Sequence, residues 1–303
     1  MKNLFLLLSI LILKSSAIYG QSKSELDKQN QEVLSNYNVS KNVAYGADTE
    51  QIMDIYVAKE SSINNNKNLT VVFMHGGGWY MSDKQDVQRY IQPYLIKGIN
   101  VINLNYRLKR GVATASEDLT EALNFIQRNN EKYLLNLKRI VLSGFSSGGH
   151  IAALVGLSAN NKTYNPKLNK AIKIAGIIDF SGPTDHLDIV EKRFIDWKFQ
   201  ISKELNSTDI GNAMFPYDGY APKDSIIQYE PIKYFDKNDP PFFLWYGGKD
   251  DQVFPSTFED FNKQLYQNSS KNEILFIQNG GHSPKSNELK EAYDQIFIFL
   301  EKL

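Results

Sequence analysis

The chain has 303 residues, with 34 Lys and Arg balanced by 34 Asp and Glu, and it contains no cysteine. Zero cysteines exclude a disulfide framework and lipoprotein-type acylation. The even charge gives no electrostatic reason to expect nucleic acid or an anionic membrane surface as a partner.

Residues 1–20 read as a targeting segment: Lys2, then an apolar run from Leu4 to Leu13, then smaller residues to Gly20. A ten-residue core is too short to span a bilayer and suits a signal peptide, so cleavage after Gly20 and a periplasmic or secreted location are expected. The alternative is an uncleaved anchor. The mature chain, 21–303, then carries 32 basic and 34 acidic residues. That length suffices for one large core, and no repeat or long linker divides it.

In chain order, Gln51–Val57 puts Met53, Ile55 and Val57 on one face, which suits an antiparallel edge strand. Asn64–Asn68 reads as a surface loop. Apolar, strand-like runs follow at Leu69–Met74, Val101–Asn105, Ile140–Leu142, Ile172–Ile178, Pro241–Tyr246 and Ile274–Ile277. Between them Leu119, Ala122, Leu123 and Ile126 recur at helical spacing. Leu289, Ala292, Tyr293, Ile296, Phe297 and Leu300 do so at the end. Alternating strand and helix predicts an α/β fold with a mostly parallel, doubly wound sheet. The irregular stretch Pro183–Pro240 interrupts that alternation. It carries Trp197, Phe199, Phe215, Tyr217, Tyr220, Tyr229 and Tyr234, and reads as a lid over the C-terminal ends of the strands. Most of these rings would pin it to the body, and a minority would line a wall for a sugar or phenolic ring.

Gly144-Phe145-Ser146-Ser147-Gly148 lies between a strand and a helix. A G-x-S-x-G in that setting is a nucleophile elbow, a sharp turn that lifts a serine hydroxyl clear of the sheet. His75-Gly76-Gly77-Gly78-Trp79 follows another strand, where its glycines expose N–H groups to an anion. Such a run forms half of an oxyanion hole, and the residue after the nucleophile forms the other half. The remaining parts should follow in the order Ser, acid, His. Of four histidines, His75 belongs to the glycine run and His150 is too close to the elbow. His186 fits the order but sits in an irregular acidic stretch. His282, in Asn279-Gly280-Gly281-His282, lies in a loop after a strand and is favoured as the base. The acid is expected in Gly247–Pro255, where Asp250 and Asp251 are adjacent and Asp250 is favoured.

Together with Asn105-Tyr106-Arg107-Leu108 and Gly247–Val253, this set resembles the bacterial feruloyl and acetyl esterases of the BD-FAE type, near the hormone-sensitive-lipase-like carboxylesterases. The resemblance runs from about Val43 to the C-terminus. It implies an α/β-hydrolase fold, a Ser146–His282–Asp250 triad, and an oxyanion hole built from Gly77, Gly78 and Ser147. It implies further that Arg107 and Asp118 are structural partners. The chemistry expected is hydrolysis of short-chain or carbohydrate-linked esters through an acyl-enzyme, with no metal or organic cofactor. Departures are Phe145 and Ser147, where these enzymes more often have a small residue and alanine, and Tyr246 in place of a histidine. Two alternatives are an arylformamidase-like amide hydrolase, against which the targeting segment argues, and a catalytically inactive binding protein, against which the intact residue set argues.

Overall fold

A computed structural model describes residues 30–59, 68–159, 167–185, 228–268 and 271–303. Among them eight strands form one sheet: β1 (Tyr37–Ala44), β2 (Ile52–Ala58), β3 (Thr70–Met74), β4 (Asn100–Leu104), β5 (Ile140–Phe145), β6 (Ile174–Phe180), β7 (Phe242–Gly247) and β8 (Glu273–Ile277). The spatial order is β1-β2-β4-β3-β5-β6-β7-β8. The β1–β2 and β2–β4 pairs are antiparallel, and every pair from β4 to β8 is parallel. Five helices of eight residues or more flank it: α1 (Gln88–Ile96), α2 (Gly111–Arg128), α3 (Ser147–Ser158), α4 (Glu259–Asn268) and α5 (Ser286–Glu301).

The inner parallel strands β3 to β7 are largely buried on both faces because both are covered, whereas β8 at the edge buries only Leu275 and exposes Phe276. Successive side chains alternate sides. Val71 and Phe73 of β3 point into the core shared with α1 and α5, whereas Val72 and Met74 meet α2 and α3 on the other face. Along β7, Phe243 and Trp245 join the first core, and Phe242, Leu244 and Tyr246 pack with α4. The predicted stripe of α2 is buried throughout, and that of α5 is buried except for the half-buried Phe297.

One expectation is corrected. Ile52–Ala58 is antiparallel but does not form an edge; β1 covers it. The periodicity of β1 is hidden because its ladder is broken between Ser40 and Val43, with Asn42 at φ 51°. Only Tyr37 in β1 is buried, and its hydroxyl donates to the carbonyls of Leu95 and Ile99.

The lid expectation falls mostly on 186–227, and the targeting segment and Asn64–Lys67 also lie outside the described residues. Of the aromatics named for the lid, Tyr229 and Tyr234 are described. Both pack against the body of the fold, and the Tyr234 hydroxyl donates to the Gln228 carbonyl at 2.7 Å.

What positions the site is the strand order. From β3 the chain crosses to β4 on one side, then returns to place β5 on the other. The sheet therefore changes direction between β3 and β5, where α/β sheets open a crevice beyond their carboxyl ends. Met74 pairs with Gly144 at that point.

Candidate active site

Ser146 adopts φ 54°, ψ −123°, between the end of β5 and the start of α3. A non-glycine residue there stores about 1–3 kcal/mol of strain, which persists only where the surroundings over-determine it. Here they do. Its N–H donates to the Phe180 carbonyl at 2.8 Å, and its carbonyl accepts from the His150 N–H at 3.0 Å. The flanking glycines allow backbone to touch backbone. A Cβ on Gly144 would lie 2.3 Å from the Gly148 carbonyl carbon, and one on Gly148 would lie 2.3 Å from the Met74 carbonyl oxygen.

β7 and β8 are parallel neighbours, so the loops that follow them leave side by side. They are tied by Gly248 N–H to the Ile277 carbonyl and Lys249 N–H to the Gly280 carbonyl, both at 2.8 Å. This brings Asp250 and His282 together at the mouth of the elbow. Asp250 Oδ2 accepts from His282 Nδ1 at 2.7 Å, and His282 Nε2 lies 2.9 Å from Ser146 Oγ. The tautomer follows from these partners. The carboxylate only accepts, so Nδ1 carries the proton and Nε2 is left to accept from the serine hydroxyl. Asp250 Oδ1 accepts the N–H groups of Gln252 and Val253, each at 2.9 Å. Both Asp250 and His282 are buried, while Asp251 is exposed. The arrangement can move a proton from the serine hydroxyl to the imidazole, with the resulting cation held against a fixed carboxylate.

The glycine run passes beside the serine: a Cβ on Gly76 would come within 3.2 Å of Ser146 Cβ. Gly77 (φ 105°) and Gly78 (φ 63°) turn the chain in a region that other residues avoid. A Cβ on Gly77 would strike the Met81 carbonyl at 2.0 Å, whereas Gly78 faces open space. Two side chains fix the loop. His75 Nδ1 donates to the Gly76 carbonyl at 2.7 Å, and its ring stacks on Tyr106 with centroids 4.4 Å apart. The Tyr106 hydroxyl lies 3.1 Å from the His75 carbonyl and 3.2 Å from Ser147 Oγ. Burial lowers the His75 pKa and raises that of Tyr106, so both rings are neutral. Ser147 is the first residue of α3, so its N–H lies outside the helical ladder.

The structure thus brings Ser146, His282 and Asp250 to one place, with Ser147 next in the chain and the glycine run approaching through Gly76, which Gly77 and Gly78 follow. It puts His150 elsewhere, buried in α3 with Nε2 donating to the Tyr229 carbonyl at 2.8 Å, and His186 lies outside the described residues. Arg107 and Asp118 are partners: the guanidinium reaches the buried carboxylate at 2.6–3.0 Å, and the Arg107 N–H does so at 2.7 Å. The sequence assigns Tyr106 no role; the structure buries it and makes its hydroxyl a brace between the glycine run and Ser147. Arg89 and Tyr90, which touch the histidine loop, carry no signal in the sequence. Among the described residues no cluster of three or more His, Cys, Asp or Glu side chains is placed to hold a metal.

Comparison with known proteins agrees with this architecture. The chain is 27% identical over 187 residues to an α/β hydrolase of Acanthamoeba polyphaga mimivirus, covering 58% of this chain and 53% of that protein. It is 24% identical over 221 residues to esterase LipC of Mycobacterium tuberculosis, covering 69% and 50% respectively. The matches therefore span about half the length of these curated relatives. Among solved structures, a truncated carbohydrate esterase from gut microbiota superposes with a TM-score of 0.68 at 20% identity, over 88% of this chain and 98% of that one. At that identity the superposition shows the α/β-hydrolase fold. The BD-FAE family model matches residues 53–265, which hold the glycine run, the elbow and the acid loop, and the chain belongs to the BD-FAE family of α/β hydrolases.

Proposed function

We propose that this protein is a serine esterase that cleaves short-chain or carbohydrate-linked carboxylic esters through an acyl-enzyme. One observation carries the reading: the continuous hydrogen-bonded chain from Asp250 through His282 to Ser146, ending on a serine held at positive φ. A serine used only for packing gives no reason to hold that strain.

The steps follow from the geometry. Ser146 Oγ attacks the ester carbonyl carbon as its proton passes to His282 Nε2. The carbonyl oxygen becomes an anion, and the N–H groups of Gly77, Gly78 and Ser147 receive it. Preorganised donors of this kind are each worth about 100- to 1,000-fold in turnover. His282 then gives its proton to the departing alcohol oxygen, leaving the acyl group on Ser146. Water, deprotonated by the same imidazole, releases the acid. Asp250 holds the imidazole in the required tautomer and stabilises its cation. The carbohydrate-linked part of the reading is supported by a structural neighbour that is a carbohydrate esterase. Export rests on Met1–Gly20 alone and places the enzyme where such esters occur outside the cell.

Ser146→Ala should abolish both hydrolysis of p-nitrophenyl acetate and labelling by a fluorophosphonate, with an unchanged circular dichroism spectrum. A folded variant that keeps substantial activity would overturn the reading. On the wild type, acetyl, butyryl, feruloyl, palmitoyl and N-formyl substrates separate the classes. A maximum at palmitoyl or at the formyl amide refutes the substrate assignment.

A further inference from the structure

On one side the loop of His282 is tied to the loop after β7, through the Lys249 N–H to the Gly280 carbonyl at 2.8 Å. Gly280 and Gly281 precede the histidine, and a Cβ placed on Gly281 would meet nothing within 4 Å. On the other side the loop is held by α1, some 195 residues earlier in the chain. The Arg89 guanidinium donates to the Pro284 carbonyl, and the Tyr90 hydroxyl lies 3.3 Å from Ser283 Oγ.

The same two residues begin a column of flat groups that ends on the imidazole. The Arg89 guanidinium lies over the Tyr90 ring, 5.3 Å from its centroid. Tyr90 stacks on Phe145, centroids 5.3 Å apart and planes 19° from parallel. Phe145 in turn packs against the His282 ring with centroids 5.0 Å apart and planes tilted by 46°. Tyr90 is itself wedged by Phe73 and Phe180, both fully buried, so the column rests on the core and not on a mobile side chain. Phe145 directly precedes Ser146, so one side chain touches the base while its own backbone leads into the strained turn.

We propose that Phe145, backed by Tyr90 and Arg89, is a positioning residue that sets the imidazole of His282 against Ser146. The inference rests on the esterase reading above and adds a source for the geometry of its base. Asp250 fixes the imidazole at one nitrogen only, and a ring held at one point can pivot about that bond. The Phe145 ring, tilted against the imidazole, blocks the pivot and keeps Nε2 on the line to Oγ. Its small-residue counterpart in the resembling enzymes could not do so. Misplacing a catalytic group by about 1 Å can cost on the order of 100-fold, so the device is worth having.

The test uses Phe145→Ala, Phe145→Leu and Phe145→Tyr in the full chain, with p-nitrophenyl acetate as substrate and active sites titrated by a fluorophosphonate. Titration removes any loss that comes from misfolded protein, which a merely structural role would produce. Phe145→Ala should lower kcat per titrated site by roughly tenfold or more, with KM changed by less than about threefold. Leucine fills space without a flat face, and should recover little of the loss; tyrosine should recover most of it. If alanine does not fold, the leucine–tyrosine contrast carries the test. Unchanged kcat in alanine and leucine variants, beside an inactive Ser146→Ala, would overturn the positioning role while leaving the esterase reading intact. A change confined to KM would overturn it as well, because Phe145 would then be a wall for substrate. Activity in Ser146→Ala would instead refute the esterase reading.

Discussion

Asp250 and His282 meet through one carboxylate oxygen, 2.7 Å from Nδ1, while the other oxygen is taken up by the N–H groups of Gln252 and Val253. The division decides between two adjacent aspartates that composition cannot separate. It also makes Asp250 both an orienter of the imidazole and the organiser of its own loop.

Asp250→Asn can therefore keep its turn through Oδ1 and lose its orienting role, because an amide offers N–H to a nitrogen that must itself be a donor. Turnover should fall by up to about ten-thousand-fold, the loss seen when a serine-protease triad acid becomes an amide. Asp251→Asn, on an exposed side chain, should change turnover little. Steady-state kinetics on p-nitrophenyl acetate compares them, and equal modest losses would show that the acid lies elsewhere.

Arg107 and Asp118 yield a prediction about stability. Asp118 is fully buried and also accepts from Gln51 Nε2 at 2.8 Å, so it links α2 to the chain entering β2. Arg107→Ala would leave a buried carboxylate without its cation, at a cost of about 3–5 kcal/mol. Arg107→Lys should recover only part of this, since an ammonium cannot reproduce the forked contact. Urea unfolding measures both. A loss below about 1 kcal/mol in the alanine variant would mean that the pair is not a structural clamp.

Acid should weaken the fold through His150. Burial in α3 pushes its pKa down from 6.5 to about 4. Between those values the unfolded chain binds a proton that the folded chain refuses, so stability is lost as pH falls through that window. The shift corresponds to roughly 3 kcal/mol if fully expressed. His150→Gln keeps an N–H for the Tyr229 carbonyl and removes the titration. Its stability should decline less than that of the wild type between pH 6.5 and 4, measured by urea unfolding across the range. Parallel decline of the two proteins would exclude His150 as the source.

How much could be read from the sequence depended on the range of the contacts involved. Motifs that act within a few residues were legible: the elbow around Ser146, the glycine run after His75, and the apolar runs of β3 to β8, which covering on both faces demands of β3 to β7. β1 was not legible, because a broken ladder and a single buried ring leave no alternation to detect. Nor was the inward position of β2, which depends on β1. The choice of His282 could be made by order and elimination, and its geometry needed the coordinates. The contacts of Arg89 and Tyr90 with Ser283 and Pro284 join segments that no local pattern connects. Phe145 stood out only as a departure from a resemblance, and its partner Tyr90, like Tyr106 beside Ser147, came from the fold.

The contact between Gly148 and the end of β3 has a consequence for how the site can vary. A methyl group at 148 would not meet a pliable side chain; it would meet main-chain oxygens of Met74 and His75, at 2.3 and 2.5 Å. Neither can swing aside, so the strand carrying the glycine run would have to retreat from the serine. The spacing between Ser146 and the glycine run is thus set by a missing atom and behaves as a mechanical stop. Side chains around it can adjust the chemistry by degrees, but at this junction the site has only two settings, assembled or pushed apart.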